Sequence, residues 1–222
     1  MAAQLIRKPT SVLGLATGST PIPCYRELIR LYQQGIVDFS QASSYNLDEY
    51  IGLPEDHVCS YHHFMRENLF DHINIRPEAT HVPNGVACDI TGEASAYDDA
   101  IAAAGGIDIQ VLGIGRNGHI GFNEPDTSFT RGCHLVNLTE STIEANTRFF
   151  KSRDEVPKQA VSLGIGSILT ARTVLLMATG KSKAWAIHAT VHGELTPQVP
   201  ASVLQTHHDV IVLLDREAAS ML

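Results

Sequence analysis

The stretch Asp108–Pro125 concentrates the side chains of this sequence that could carry out chemistry. It reads DIQVLGIGRNGHIGFNEP. The apolar run Ile107–Ile114, which overlaps the beginning of this stretch, predicts a strand buried on both faces of a parallel sheet. Four glycines then open the backbone where the strand should end, and Asn117, His119 and Glu124 follow on that flexible segment. Because ligands bind at the carboxyl ends of strands in open α/β sheets, this loop is a candidate active site.

Two other interpretations of the loop compete with this one. The pattern G-x-G-x-x-G begins at Gly113 and fits a dinucleotide fingerprint, which requires a helix that starts inside the motif and faces a pyrophosphate. Gly121 and Pro125 would interrupt such a helix, so we expect no dinucleotide here. The plainer alternative is that His119 and Glu124 are polar loop residues without a chemical role, since loops collect such residues.

A glycine-containing turn near the N-terminus is a candidate anion site. It follows a predicted strand, Ser11–Ala16, and consists of Thr17, Gly18, Ser19 and Thr20. Thr20 is a candidate N-cap, and Pro21 would occupy the first position of a helix over Ile22–Gln34. Free backbone N–H groups and the positive helix end would then meet at one point, where an anion is stabilised. An ordinary capped helix is the alternative.

A second predicted strand, Ala42–Leu47, delivers the adjacent carboxylates of Asp48 and Glu49. Neighbouring side chains on a strand point in opposite directions, so we expect one carboxylate to act and the other to be structural. A carboxylate at the end of a strand can serve as a general base if burial raises its pKa toward the working pH. We count Asp48 with the site.

Two cations, Arg148 and Lys183, also fall near predicted helix ends or strand-to-helix turns. The turn before Lys183 lacks the spacing of a nucleotide P-loop, but a lysine there could meet a phosphate as a point charge. His188 and His192 are four residues apart, as in a zinc pair, yet no third ligand lies at a recognisable spacing. We therefore expect no metal.

Four strand-then-helix units without tandem hairpins predict an α/β fold, with a doubly wound, mainly parallel sheet and helices on both faces. We expect this three-layer, Rossmann-like arrangement to be a single domain over residues 1–222. The net charge of −8 argues against a nucleic-acid surface, and no apolar run is long enough for a membrane span. The four cysteines form no C-x-x-C pair, which favours reduced thiols and a cytoplasmic location.

The candidate residues share one kind of chemistry. The sequence has no serine elbow and no metal cluster, so Asp, His and Glu side chains would act by transferring protons. Together with a phosphate-binding site, such residues suit a small sugar phosphate as substrate. This interpretation requires no cofactor.

Seven segments of the sequence resemble the glucosamine-6-phosphate deaminase family. They are LGLATGSTP (Leu13–Pro21), NLDEYIGLP (Asn46–Pro54), SYHHFM (Ser60–Met65), LGIGRNGHIGFNEP (Leu112–Pro125), TRFF (Thr147–Phe150), VPKQA (Val156–Ala160) and PASVLQTH (Pro200–His207). The resemblance implies an enzyme that converts glucosamine 6-phosphate and water into fructose 6-phosphate and ammonia without a cofactor. It further implies that Asp48 moves a proton between C2 and C1, while His119 opens the sugar ring with Asn117 and Glu124. The implied phosphate-binding residues are Thr17, Gly18, Ser19, Thr20, Arg148 and Lys183.

The sequence departs from the family pattern at several positions. Asn117 replaces an Asp of some members, and His134 and Val136 stand where allosteric hexameric members carry Arg and Lys. We expect a monomer or a small homo-oligomer. The alternatives are 6-phosphogluconolactonase, which lacks a counterpart to Phe122–Pro125, and a sugar-phosphate-sensing regulator, which should have lost catalytic residues and gained a DNA-binding domain.

Overall fold

A computed structural model describes residues 1–222, which form nine strands and seven α-helices. The strands are β1 (Val12–Leu15), β2 (Ser43–Asn46), β3 (Asp48–Tyr50), β4 (Thr80–His81), β5 (Ile109–Leu112), β6 (His134–Asn137), β7 (Gln159–Ser162), β8 (Thr173–Ala178) and β9 (Val210–Leu214). The helices are α1 (Ala2–Arg7), α2 (Ile22–Gln33), α3 (Tyr61–Asn68), α4 (Ile90–Ala103), α5 (Glu140–Asn146), α6 (Ile165–Leu169) and α7 (Ala184–His192). None of these helices has both the length and the apolar character needed to cross a lipid bilayer.

Six strands form one parallel sheet in the order β4-β2-β1-β5-β8-β9. All residues of the central strands β1 and β5 are buried, which explains why both read as short apolar runs. The predicted doubly wound α/β architecture is therefore confirmed. The strand order reverses between β1 and β5, and in this class of sheet a crevice forms outside the carboxyl ends at that switch point.

A second, three-stranded antiparallel sheet in the order β3-β7-β6 was not predicted. Asp48, expected at the end of the second parallel strand, instead opens β3 and pairs with Ser162 of β7. This sheet packs on a small hydrophobic core of its own, separate from the main core of 37 residues. Its members are Tyr50, Phe122, Val136, Leu138, Ile143, Val156 and Ala160. The small core supports both the general-base candidate and the loop that follows β5.

Some element ends differ from the sequence prediction. The predicted N-cap Thr20 is wrong, because Pro21 occupies the N-cap position of α2 and no side chain caps this helix. The helices α3 and α5 end at Asn68 and Asn146, and each is followed by a short 3-10 turn. One of these turns, Thr147–Phe149, carries Arg148.

Candidate active site

A cavity of about 1090 Å³ lies beside the loops that follow β1, β5 and β8. Nine of the ten predicted site residues line it: Thr17, Gly18, Ser19, Thr20, Asp48, Asn117, His119, Arg148 and Lys183. The tenth, Glu124, lies behind the wall and contacts two of the lining residues, Asn117 and His119. The topology thus brings together residues that are up to 166 positions apart (183 − 17).

Asp48 is the most deeply buried acid on the cavity wall, with 6% of the residue exposed. Burial, and to a smaller degree the charge of Glu49, raises the pKa of Asp48 from 3.8 to about 8. No hydrogen bond from the chain offsets the cost of burying its charge. A carboxyl group with such a pKa can both accept and return a proton near neutral pH.

The neighbouring carboxylate of Glu49 has a structural role, as expected for one member of the pair. It accepts hydrogen bonds from the backbone N–H groups of Tyr50 at 2.7 Å, Tyr61 at 2.8 Å and His62 at 3.1 Å. The last two donors belong to the first turn of α3. Burial still raises the pKa of Glu49 to about 7, despite these three hydrogen bonds. Glu49 therefore joins α3 to the small sheet.

Asn117, His119 and Glu124 form one hydrogen-bonded cluster. Asn117 Nδ2 donates to Glu124 Oε2 at 2.7 Å, and Asn117 Oδ1 accepts from the backbone N–H of His119 at 3.2 Å. His119 Nδ1 lies 3.3 Å from the same Glu124 oxygen, an ion-pair distance without the alignment of a hydrogen bond. Catalytic hydrogen bonds often tighten only when substrate binds, so this contact suits an acid/base histidine.

The loop that carries this cluster contains no helix, so the dinucleotide interpretation is excluded. A side chain at position 115 would collide with the His119 ring, because a β-carbon on Gly115 would stand 2.3 Å from it. Farther along, the Phe122 ring stacks on Tyr61 at 6.2 Å between centroids. Asn123 Nδ2 donates to the carbonyls of Ile120 and Leu163. These contacts fix the backbone on both sides of Glu124.

Glu124 is held as a carboxylate by its neighbours. Burial alone would raise its pKa, but His119, Thr142 and Asn117 outweigh burial and lower the pKa of Glu124 to about 2. Thr139 Oγ1 also donates to Glu124 Oε1, at 3.1 Å. Sequence reasoning missed both threonines as contacts of Glu124, because nothing in their spacing indicates a contact 15 to 18 residues away.

The other end of the cavity is positively charged. The backbone N–H groups of Gly18, Ser19 and Thr20 donate to no group of the chain. Lys183 Nζ donates to the carbonyl of Ile114 at 2.6 Å, which directs it toward the loop after β5. Burial, followed by the charges of Arg116 and Arg148, lowers the pKa of Lys183 to about 8. An anion between these groups would be strongly favoured.

Arg116 is a further lining residue that the sequence analysis passed over. It is the only cation between Asp108 and Pro125, and that position could have identified it. By contrast, the two histidines considered for zinc have ring centroids 5.4 Å apart but no third partner. No group of three or more His, Cys, Asp or Glu side chains is placed to hold a metal ion.

Acid/base residues and cations at the switch point of an open parallel sheet define an enzyme of the Rossmann-like α/β class. The chain belongs to the family described as glucosamine-6-phosphate isomerases/6-phosphogluconolactonase, whose sequence profile matches residues 1–213.

Named relatives are similar over nearly their whole length. The chain is 61% identical over 222 residues to a glucosamine-6-phosphate deaminase of Clostridioides difficile (strain 630), covering 100% of this chain and 89% of the relative. It is 54% identical to one of Halothermothrix orenii, covering 100% and 92%.

Solved structures show the same relationship. A monomeric glucosamine-6-phosphate deaminase superposes with a TM-score of 0.97 at 49% identity, covering 100% of this chain and 92% of that one. A 6-phosphogluconolactonase of Thermotoga maritima reaches a TM-score of 0.75 at 19% identity, covering 96% and 88%. The second comparison shows a shared fold alone.

Proposed function

We propose that this chain is a glucosamine-6-phosphate deaminase, which converts glucosamine 6-phosphate and water into fructose 6-phosphate and ammonia. One observation carries the proposal: a single cavity unites a carboxyl group that can exchange protons near neutral pH, a histidine–glutamate pair and a cationic end. Relatives at 61% and 54% identity that bear this name support it.

His119 would begin the reaction by transferring a proton to or from the ring oxygen and the C1 hydroxyl of the cyclic sugar. Glu124 keeps a negative charge beside the imidazole, and Asn117 links the two groups. This arrangement orients the imidazole for proton transfer while the bond between C1 and the ring oxygen of the sugar breaks. The product of the step is the open-chain amino aldehyde.

Asp48 would then act on the open chain. It removes the proton from C2 and returns it to C1, while the amino nitrogen loses one proton and O1 gains one. The aldehyde with a C2 amine thereby becomes a C2 imine with a C1 alcohol. Water adds to the imine and ammonia leaves, giving the ketose. A base whose pKa is about 8 can complete both halves of this transfer without a change of solvent pH.

The cationic end would hold the phosphate. Arg148 and Lys183 supply charge, and the turn Thr17–Thr20 supplies backbone N–H groups. Because the phosphate is remote from C1 and C2, these contacts mainly position the substrate. All of these groups belong to one chain, so we infer that a monomer is sufficient for activity. Light scattering during gel filtration should then give the mass of one chain for the fractions that release ammonia.

The experiment that tests the proposal is ammonia release from glucosamine 6-phosphate by purified protein. We expect release together with equimolar fructose 6-phosphate, and no release from unphosphorylated glucosamine at the same concentration. A parallel assay should use 6-phosphogluconolactone, the substrate of the alternative enzyme of this fold. Hydrolysis of the lactone without ammonia release from the amino sugar would overturn the proposal.

A further inference from the structure

Two threonines at the start of α5 contact Glu124 and have no role in the mechanism given above. Thr139 is the N-cap of α5, and its hydroxyl accepts from the backbone N–H of Thr142. Thr142 lies one turn into the helix, is only 4% exposed and donates its hydroxyl to Glu124 Oε1. Its side chain is thus not needed to cap the helix, yet it is buried against the active-site carboxylate.

The contacts of Glu124 divide between its two oxygens. Oε2 meets the groups of its own loop, Asn117 and His119, whereas Oε1 meets only the hydroxyls of Thr139 and Thr142. A carboxylate held at both oxygens cannot rotate about its last bond without losing a charge-assisted hydrogen bond. The orientation of the oxygen that faces His119 therefore depends on α5.

We propose that Thr142 is a positioning residue for the ring-opening step: its hydroxyl holds Glu124 in the orientation that lets the carboxylate direct His119. This inference rests on the proposed function. It also makes α5 a shared support, because the 3-10 turn that follows this helix carries Arg148. The groups proposed for the phosphate and for the sugar ring are then joined through one short segment.

The test compares Thr142→Val, which keeps the shape of the side chain but removes the hydroxyl, with Thr142→Ser, which keeps the hydroxyl. We expect Thr142→Val to lower kcat about 10- to 100-fold, with KM changed less than about threefold, because one hydrogen bond to a charged group is lost. Thr142→Ser should restore kcat to within about threefold of wild type. A matched control is Thr190→Val, since Thr190 is 3% exposed and its hydroxyl donates only to the Ala186 carbonyl.

A double-mutant cycle with Glu124→Gln separates positioning from general support of the fold. If Thr142 acts through Glu124, adding Thr142→Val to Glu124→Gln should lower kcat by no more than about twofold. A further loss as large as in the wild-type background, or failure of Thr142→Ser to restore kcat, would overturn the inference. Wild-type kcat in Thr142→Val would overturn it too. Absence of ammonia release by the wild type would instead refute the proposed function.

Discussion

Replacing Asp48 by Asn should slow the enzyme and, unusually for a buried site, stabilise the fold. Asn has nearly the same volume but cannot accept a proton, so turnover should fall by about 10² to 10⁴ while substrate affinity changes little. The stability effect follows from the raised pKa of about 8 in the folded protein, against 3.8 as the ordinary value.

The sign and size of the stability effect follow from proton linkage. Because the folded-state pKa of Asp48 is raised, its contribution to the free energy of unfolding of the wild type is complete only below about pH 4. This contribution is lost as pH rises toward 8. Between pH 5 and pH 7 the unfolded chain has Asp48 ionised while the folded chain keeps it protonated. A difference of one proton over two pH units is worth about 3 kcal/mol. The side chain of Asp48→Asn does not ionise, so this variant does not lose stability in this way.

The assay is urea unfolding of both proteins at pH 5, 6, 7 and 8. The free energy of unfolding of Asp48→Asn should exceed that of the wild type by a margin that widens by about 3 kcal/mol from pH 5 to pH 7. Asp99→Asn is the matched control, since Asp99 is exposed on α4. Parallel stability curves for wild type and Asp48→Asn would refute the reasoning, because Asp48 would then titrate as in the unfolded chain.

Four further predictions concern the rest of the site. Arg148→Ala or Lys183→Ala should raise KM, because each removes about 1.5 to 3 kcal/mol of binding free energy for the substrate phosphate. An unchanged KM in both variants would contradict the phosphate assignment. Since the pKa of Lys183 is lowered to about 8, wild-type KM should rise above that pH as the lysine loses its charge, and this rise should disappear in Lys183→Ala. His119→Gln, incubated with fructose 6-phosphate and ammonium in heavy water, should still exchange deuterium into C1; loss of exchange would place the histidine in the isomerisation step. With His134 and Val136 in place of two cations, kinetics should be hyperbolic and insensitive to N-acetylglucosamine 6-phosphate, and sigmoidal kinetics would disprove this.

The parallel sheet and the place of the site could be read from the sequence because both depend on local patterns. Buried strands of a parallel sheet are short apolar runs, and β1 and β5 were recognised in this way. The residues Asn117, His119 and Glu124 lie within eight positions of one another, so their proximity follows from one glycine-rich loop. The opposite directions of Asp48 and Glu49 follow from the geometry of a strand.

The antiparallel sheet could not be predicted, since β3 has three residues and β6 and β7 have four each. So short a run does not show which strand it will pair with, because its pairing depends on the small core beneath it. The raised pKa of Asp48 belongs to the same category, because it depends on how completely distant segments exclude water from the side chain.

The sequence by itself determined which residue types stand at the strand ends, and therefore the class of chemistry. Tertiary structure alone decided how those groups are charged and held: Glu124 meets the hydroxyls of α5, and Arg116 joins the other cations of the cavity. The physical reason is the distance along the chain over which each interaction acts. Helix and strand periodicity and turn chemistry act over a few residues and are written in the local sequence. Burial, hydrogen bonds between distant segments and the pKa shifts that they cause arise only after the elements have packed against one another.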